Sequence, residues 1–227
     1  DLVSSGHVAL RHGHAALLPL LLEYQLPADI SDAQGCTLLH LAAQSGEVAA
    51  AEALVKRGAA VNARDGEGLT PLFAAVQAGA LETAKALVRQ GAALDIRARD
   101  GRTPLFVTAD PDMLAWLLGT GLSAAARDAS GRTPLHAAAH DAAPGPATDR
   151  VLALLLDDGA EVNARDDDGR TPLFYAVQQN HIATAVFLLK RGANPALRDK
   201  DGQLPVSQLS PTAPPELKAL LAGGKKP

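Results

Sequence analysis

The chain is poor in the residue types that most chemistry needs. It holds one cysteine, Cys36, which excludes an internal disulfide and any cysteine-rich zinc site. Aromatic residues make up 3% of the chain, so its core must be built from Ala, Leu and Val. No apolar run approaches the roughly 18 residues of a membrane span, and the Leu-rich stretch from Leu17 to Leu22 is interrupted by Pro19. A basic excess is also missing. The 21 Lys and Arg against 25 Asp and Glu leave a net charge of -4, which argues against a general nucleic-acid binder. What is plentiful is apolar: 47% of 227 residues, enough for a packed core and too much for a disordered chain. The first residue is Asp. This suits a processed product, such as one freed of a signal peptide, or a piece of a longer protein.

The architecture emerges from internal repetition. Thr70-Pro71-Leu72-Phe73 recurs as Thr103-Pro104-Leu105-Phe106, Thr133-Pro134-Leu135-His136 and Thr171-Pro172-Leu173-Phe174. An earlier copy reads Thr37-Leu38-Leu39-His40 and a worn one Leu204-Pro205-Val206. Successive copies lie 33, 33, 30, 38 and 33 residues apart. Two further columns keep the same register: Gly58, Gly91, Gly121, Gly159, Gly192, and Asp29, Asn62, Asp95, Ala125, Asn163, Ala196.

Each unit translates into local structure. Thr opens a helix and Pro occupies its first position, where a missing N–H is harmless. A short apolar helix such as 72–77 follows. It stops at Gly46, Gly79 or Asn180, residues that tolerate the left-handed conformation. A second helix, with apolar Leu81, Ala84, Leu87 and Val88 at helical spacing, runs to the glycine column. A polar segment such as Asn62-Ala63-Arg64-Asp65-Gly66 turns the chain into the next unit.

Asp-Gly-Arg-Thr-Pro-Leu-(His/Phe) and Gly159-Ala160-Glu161-Val162-Asn163-Ala164-Arg165-Asp166 resemble the ankyrin repeat, over nearly the whole chain. The resemblance implies an all-α solenoid of stacked helix pairs with β-hairpin-like loops and no substantial sheet. About six units and a C-terminal capping helix are expected in a single domain: an N-terminal capping repeat over 1–34, repeats over 35–67, 68–100, 101–130, 131–168 and 169–201, and a cap and tail over 202–227. In the first unit Ala9-Leu10-Arg11-His12-Gly13-His14 takes the place of the family's Ala-Ala-x-x-Gly-His, and Gln25 replaces the usual Gly. The last helix is expected within Pro214–Leu221, followed by a solvated Lys225-Lys226-Pro227 tail.

Two units depart from the register. The repeat at Thr103 is three residues short, and the loss is placed in the turn before Asp110-Pro111, which can open the second helix. It carries the only Trp, and Trp116 is expected mostly buried in the column Ala53, Ala86, Trp116, Leu154, Phe187; an exposed partner anchor is the alternative. The repeat at Thr133 is five residues long, with the excess in the surface segment 140–147.

Catalytic readings fail on their own terms. Arg11-His12-Gly13 mimics the signature of histidine phosphatases, yet it falls in the repeat register and the rest of the chain is committed to repeats. Asp166-Asp167-Asp168-Gly169 and Asp199-Lys200-Asp201-Gly202 resemble the start of a calcium loop, but the twelfth positions are Val177 and Ser210, which supply no bidentate carboxylate. The seven His show no metal spacing, and Cys36 has no basic neighbour to activate it. No enzyme, cofactor or metal is expected.

The family resemblance implies a structural hydrogen bond from His40 and His136, replaced by apolar packing where Phe73, Phe106 and Phe174 stand. It reads the Arg64, Arg97, Arg127, Arg165, Arg198 column as architecture. It also implies a non-catalytic protein-binding module, as scaffold, adaptor or inhibitor, using loop tips and first helices on the concave face. The alternative is an accessory domain or subunit of a larger enzyme or complex. The candidate contacts are the ladder Arg102, Arg132 and Arg170, the aromatic Tyr175, and Gln44, Gln77, His140 and Gln178 on the first helices. Arg can bond carboxylates in pairs, unless these side chains pair with acids in their own loops. The expected partner is a protein, with no nucleic acid and no membrane insertion, bound by a chain monomeric on its own. A cytoplasmic setting is expected, or a periplasmic or secreted one after signal-peptide removal. The Ala-rich composition is in the style of a GC-rich bacterial genome.

Overall fold

The computed structural model describes residues 2–23, 26–143, 145–211 and 213–221. Among them the regular structure is helical, and the one bridge of β type, Ser31 to Thr37, is isolated. The chain divides into two compact units, residues 1–108 and 109–227.

The first unit stacks helix pairs. α1 (Leu2–Arg11) leads through a 3-10 turn to α2 (Leu18–Glu23). α3 (Leu38–Gln44) pairs with α4 (Val48–Lys56), and α5 (Pro71–Gln77) with α6 (Leu81–Arg89). α1 packs on α3, α3 on α5 and α4 on α6. Leu38, Leu39, Leu54, Leu72, Phe73 and Leu87 form its buried core, where small Ala42, Ala43, Ala51 and Ala75 let the helices approach closely.

The second unit holds α7 (Pro111–Gly119), α8 (Pro134–His140), α9 (Pro146–Asp157), α10 (Pro172–Gln178), α11 (Ile182–Lys190) and, after a 3-10 turn at Pro205–Gln208, α12 (Pro215–Leu221). α8 packs on α9 and α10, α10 on α11, and α11 on α12. Its core contains Met113, Leu114, Leu117, Leu135, Leu152, Leu155, Leu173, Phe174 and Leu188.

The helix boundaries follow the chemistry of their ends. Thr70, Thr103, Thr133 and Thr171 sit in extended conformation ahead of a Pro at the helix start. The hydroxyls of Thr70, Thr103 and Thr171 make no capping bond, so the fixed φ of Pro carries those starts. α3, α5 and α10 end before a left-handed residue, Gly46, Gly79 or Asn180, whereas α8 runs into Asp141 at φ -97°; Asn180, at φ 58°, is the one non-glycine with positive φ among the described residues.

Both irregular repeats differ from expectation. The three-residue deletion removes more than a turn: the first helix is reduced to a 3-10 turn at Pro104–Phe106. Asp110 does cap α7, accepting a bond from the Asp112 N–H at 2.9 Å. The five-residue excess does not stay in a loop. α9 has 12 residues where α4, α6 and α11 have 9, so much of the insert is helix. Trp116 is half-buried, not sealed in the core. α7 turns Met113, Leu114 and Leu117 inward, and Trp116 falls on the flank between that face and solvent. Gln25, Pro144, Gly223 and the Lys225-Lys226-Pro227 tail lie outside the described residues.

Candidate protein-interaction surface

The loops between repeats are built on one aspartate. Asp32, Asp65, Asp128, Asp166 and Asp199 each stand five residues before the helix-opening position. In each, Oδ1 accepts the backbone N–H two and four residues on, at 2.8–3.0 Å. The same aspartates donate their own N–H to the carbonyl four residues on, closing a hairpin. Only the loop at Ala98 lacks the carboxylate, and there Asp100 accepts the N–H of Arg102 instead. This column, equally regular in the sequence, was not singled out there.

Successive loops are stitched together within each unit. Gly66 and Arg99 donate backbone N–H to Gln34 and Glu67 in the first unit, and Asp167 and Lys200 to Ser130 and Asp168 in the second. Asn62 accepts the Ala93 N–H and donates to the Gly91 carbonyl; Asn163 treats Asn194 and Gly192 in the same way. Arg64, Arg127 and Arg165 donate to the carbonyls of Arg97, Arg165 and Arg198. The basic column is therefore architecture.

The Arg102, Arg132 and Arg170 side chains are not free hooks. Arg102 Nε donates to Asp100 of its own loop. Arg132 Nε lies 3.1 Å from Oδ2 of buried Asp128. Arg170 Nε is 3.6 Å from Asp199 Oδ2, and its guanidinium carbon stands 5.4 Å from the Phe174 ring centroid. Each remains half-exposed, with part of its guanidinium already committed inside the loops.

Tyr175 also departs from expectation. It is buried, not projecting, because its hydroxyl donates to Asp166 Oδ2 at 2.6 Å and its ring meets those of His136 and His140 edge-on, at 5.9 and 5.8 Å between centroids. Burial, reinforced by that bond to a carboxylate, pushes the phenol up to about 12. Asp166 thus ties the loop to the first helix of its repeat. Tyr175 forms one wall of a polar cavity of about 330 Å³, lined also by Ser130, Arg132, Asp167 and Asp168. No sequence signal marks this notch, which depends on how two loops are spaced.

The first-helix candidates are better placed. Gln44, Gln77 and Gln178 are exposed at the ends of α3, α5 and α10. His140 is half-buried: Nδ1 lies 2.6 Å from Asp141 Oδ1, and Nε2 lies 3.0 Å from Gln179 Nε2.

His40 and His136 are structural. Nδ1 accepts the N–H of Thr37 or Thr133, and Nε2 donates to the carbonyl of Leu69 or Arg170 in the following loop. Burial lowers the pKa of both rings and keeps them neutral. His7 makes the equivalent bridge to the Cys36 carbonyl at 3.0 Å, a role its sequence context did not disclose. Burial first, and Asp32 second, push the Cys36 thiol up to about 11, so it is protonated and quiet at neutral pH. Among the described residues no group of His, Cys, Asp and Glu assembles as metal ligands, and no helix is long and apolar enough to cross a membrane.

Helix pairs stacked on one another and joined by stitched hairpin loops define a repeat protein of the ankyrin class. The family model for ankyrin repeats (three copies) matches residues 6–65, 60–122 and 108–199, and the chain belongs to that family. Among solved structures, the human ASB11 ankyrin repeat domain matches with a TM-score of 0.81 at 24% identity, covering 98% of each chain. That likeness establishes the fold, a solenoid of stacked helices. No match was found among curated proteins.

Proposed function

We propose that the chain is a non-catalytic protein-binding module, a scaffold, adaptor or inhibitor, that presents its first-helix ends and loop tips to a partner protein. The ankyrin repeat is in general a protein-interaction fold, and the family membership supports that coarse reading. The observation that carries the finer one is the exposed polar column Gln44, Gln77 and Gln178, which recurs at one register position where the helix has no packing to do. In the second unit the notch beside Arg132 and Tyr175 adds a concavity large enough for a partner side chain. The partner's surface is polar, because this face presents amides, carboxylates and guanidinium edges together.

Substituting the arginines does not test this cleanly. Removing the Arg132 side chain strips a partner from buried Asp128 and is expected to cost about 1–2 kcal/mol of stability, whereas Arg102→Ala, between two half-exposed groups, changes little. Urea denaturation of the two variants checks that contrast. Position-specific photocrosslinking tests the surface itself. A photoreactive residue at Gln44, Gln77 or Gln178 is expected to capture a partner that the same probe at exposed Glu52 or Glu82, on the second helices, does not. Capture from the Glu positions alone would assign binding to the opposite face and overturn the proposal.

A further inference from the structure

The first helix pair exposes one position that every later pair hides. In register with the repeats, Leu17 of the first unit aligns with Ala50, Thr83, Met113, Val151 and Thr184. Those five residues are at most 5% exposed, whereas Leu17 is 48% exposed. Val8 is 52% exposed, in a column where Leu41 and Tyr175 are buried and Ala74, Val107 and Ala137 half-exposed; Leu20, 50% exposed, stands in the column of half-exposed Ala53, Trp116, Leu154 and Phe187, where Ala86 is buried. These three are the exposed large hydrophobic side chains among the described residues, and all belong to this one helix pair.

Register explains the pattern. α1 and α2 already have a following neighbour, since α1 packs on α3 and α2 on α4. The pairs α3/α4 and α5/α6 differ from them in also having a preceding one. The column at Leu17 is therefore the one that a preceding helix pair covers. A terminal repeat of a solenoid needs a polar outer face. This one presents Leu17 at a position that the fold buries in all five later pairs. The opposite side of the same pair is packed as an internal repeat should be: His7 bridges to the Cys36 carbonyl, and Leu26 and Leu38 fill the space beside Gly6, where an added Cβ would come within 2.9 Å of Leu26.

We propose that the surface around Leu17 is a stacking surface, and that its occupant is a further ankyrin-type helix pair placed immediately ahead of α1 in the same polypeptide. The continuity of the established interface carries this assignment. The occupant would repeat towards α1 and α2 the packing that α3 and α4 make against α5 and α6.

The experiment joins a copy of residues 35–67, one 33-residue repeat, directly ahead of Leu2, which preserves the register of Ser4 with Thr37. A scrambled copy of the same composition serves as control. Hydrogen exchange of the α1 and α2 amides is expected to slow by about tenfold or more in the fusion and not in the control. Leu17→Asp in the fusion is expected to abolish that protection. In the unfused chain, where Leu17 is half-exposed, the same substitution should leave the melting temperature within a few degrees, showing that it does not act by unfolding the unit. Equal protection from the scrambled copy, or protection that survives Leu17→Asp, would overturn the proposal. So would a concentration-dependent dimer of the unfused chain that Leu17→Asp dissolves, because the occupant would then be a second copy.

Discussion

Two kinds of repeat occur in this chain. The His kind, at Thr37 and Thr133, spends its fourth position on a ring that links its own helix start to the next loop. The Phe kind, at Thr70, Thr103 and Thr171, fills the same space with an apolar ring, buried in Phe73, Phe106 and Phe174. The exchange has a visible cost. The hydroxyls of Thr103 and Thr171 are buried without a partner, both in Phe-kind repeats, while those of Thr37 and Thr133 lie 2.8 and 2.9 Å from a His Nδ1. One solution stabilises by a directional network and the other by buried area, and the same backbone accepts both. The solenoid register, not any single contact, is what the repeats share.

Truncation at the fourth position should produce the largest effects. Phe174→Ala is expected to destabilise by about 3–5 kcal/mol, the scale for a core aromatic leaving a cavity. His136→Ala removes less area but leaves the Thr133 N–H and the Arg170 carbonyl unsatisfied, with an expected cost of about 2–4 kcal/mol. Urea denaturation followed by circular dichroism measures both. A negligible cost for His136→Ala would mean that the ring merely fills space and that the two kinds of repeat do not differ in mechanism.

Acid should separate the two kinds next. Burial lowers the pKa of His40 and His136 in the fold from 6.5, the value of an unperturbed ring. Below about pH 6.5 the unfolded chain therefore takes up protons that the folded chain refuses. The contribution of these rings is complete above pH 6.5 and declines as pH falls towards their lowered folded values, by at most about 1.4 kcal/mol per pH unit for each ring. Denaturation midpoints between pH 7.5 and 5 should fall accordingly, and His40→Phe combined with His136→Phe should flatten that slope. An unchanged slope in the double variant would place the acid sensitivity elsewhere.

How far the sequence foretold this molecule depends on whether a feature is local. Helix starts and stops were legible because Pro, Gly and Asn impose backbone conformations on their own positions. The architectural role of the Arg64 column was legible because the repeat makes it periodic. The fate of Arg102, Arg132 and Arg170 was not, because their partners sit at different offsets: Asp100 two residues back, Asp128 four back, and Asp199 in the following loop. Tyr175 looked like a projecting anchor because its column holds apolar residues of any size. Only the fold places Asp166 against its hydroxyl and two His rings against its face. Trp116 misled for a similar reason, since a column that is apolar throughout lies on a helix flank and is mostly half-exposed.

The smallest expected effect is the sharpest probe of the comparison. In the His kind, the Thr37 hydroxyl lies 2.8 Å from His40 Nδ1 and accepts the His40 N–H at 3.4 Å, so Thr37→Val removes a cap and loosens the ring. A loss of about 1–2 kcal/mol is expected, as for other helix-start hydroxyls. In the Phe kind, the Thr171 hydroxyl is already buried without a partner, so the folded state bears its desolvation with nothing in return. Thr171→Val deletes that penalty while keeping the β-branched shape. Its stability should be unchanged or higher by up to about 1 kcal/mol. The two substitutions are chemically identical and lie at one register position, so differences in unfolded-state hydration largely cancel between them. Matched urea denaturation of the pair reads the difference directly. Equal losses in both would show that the threonine hydroxyl serves the helix start whatever ring follows it, and the distinction between the two kinds of repeat would collapse to packing alone.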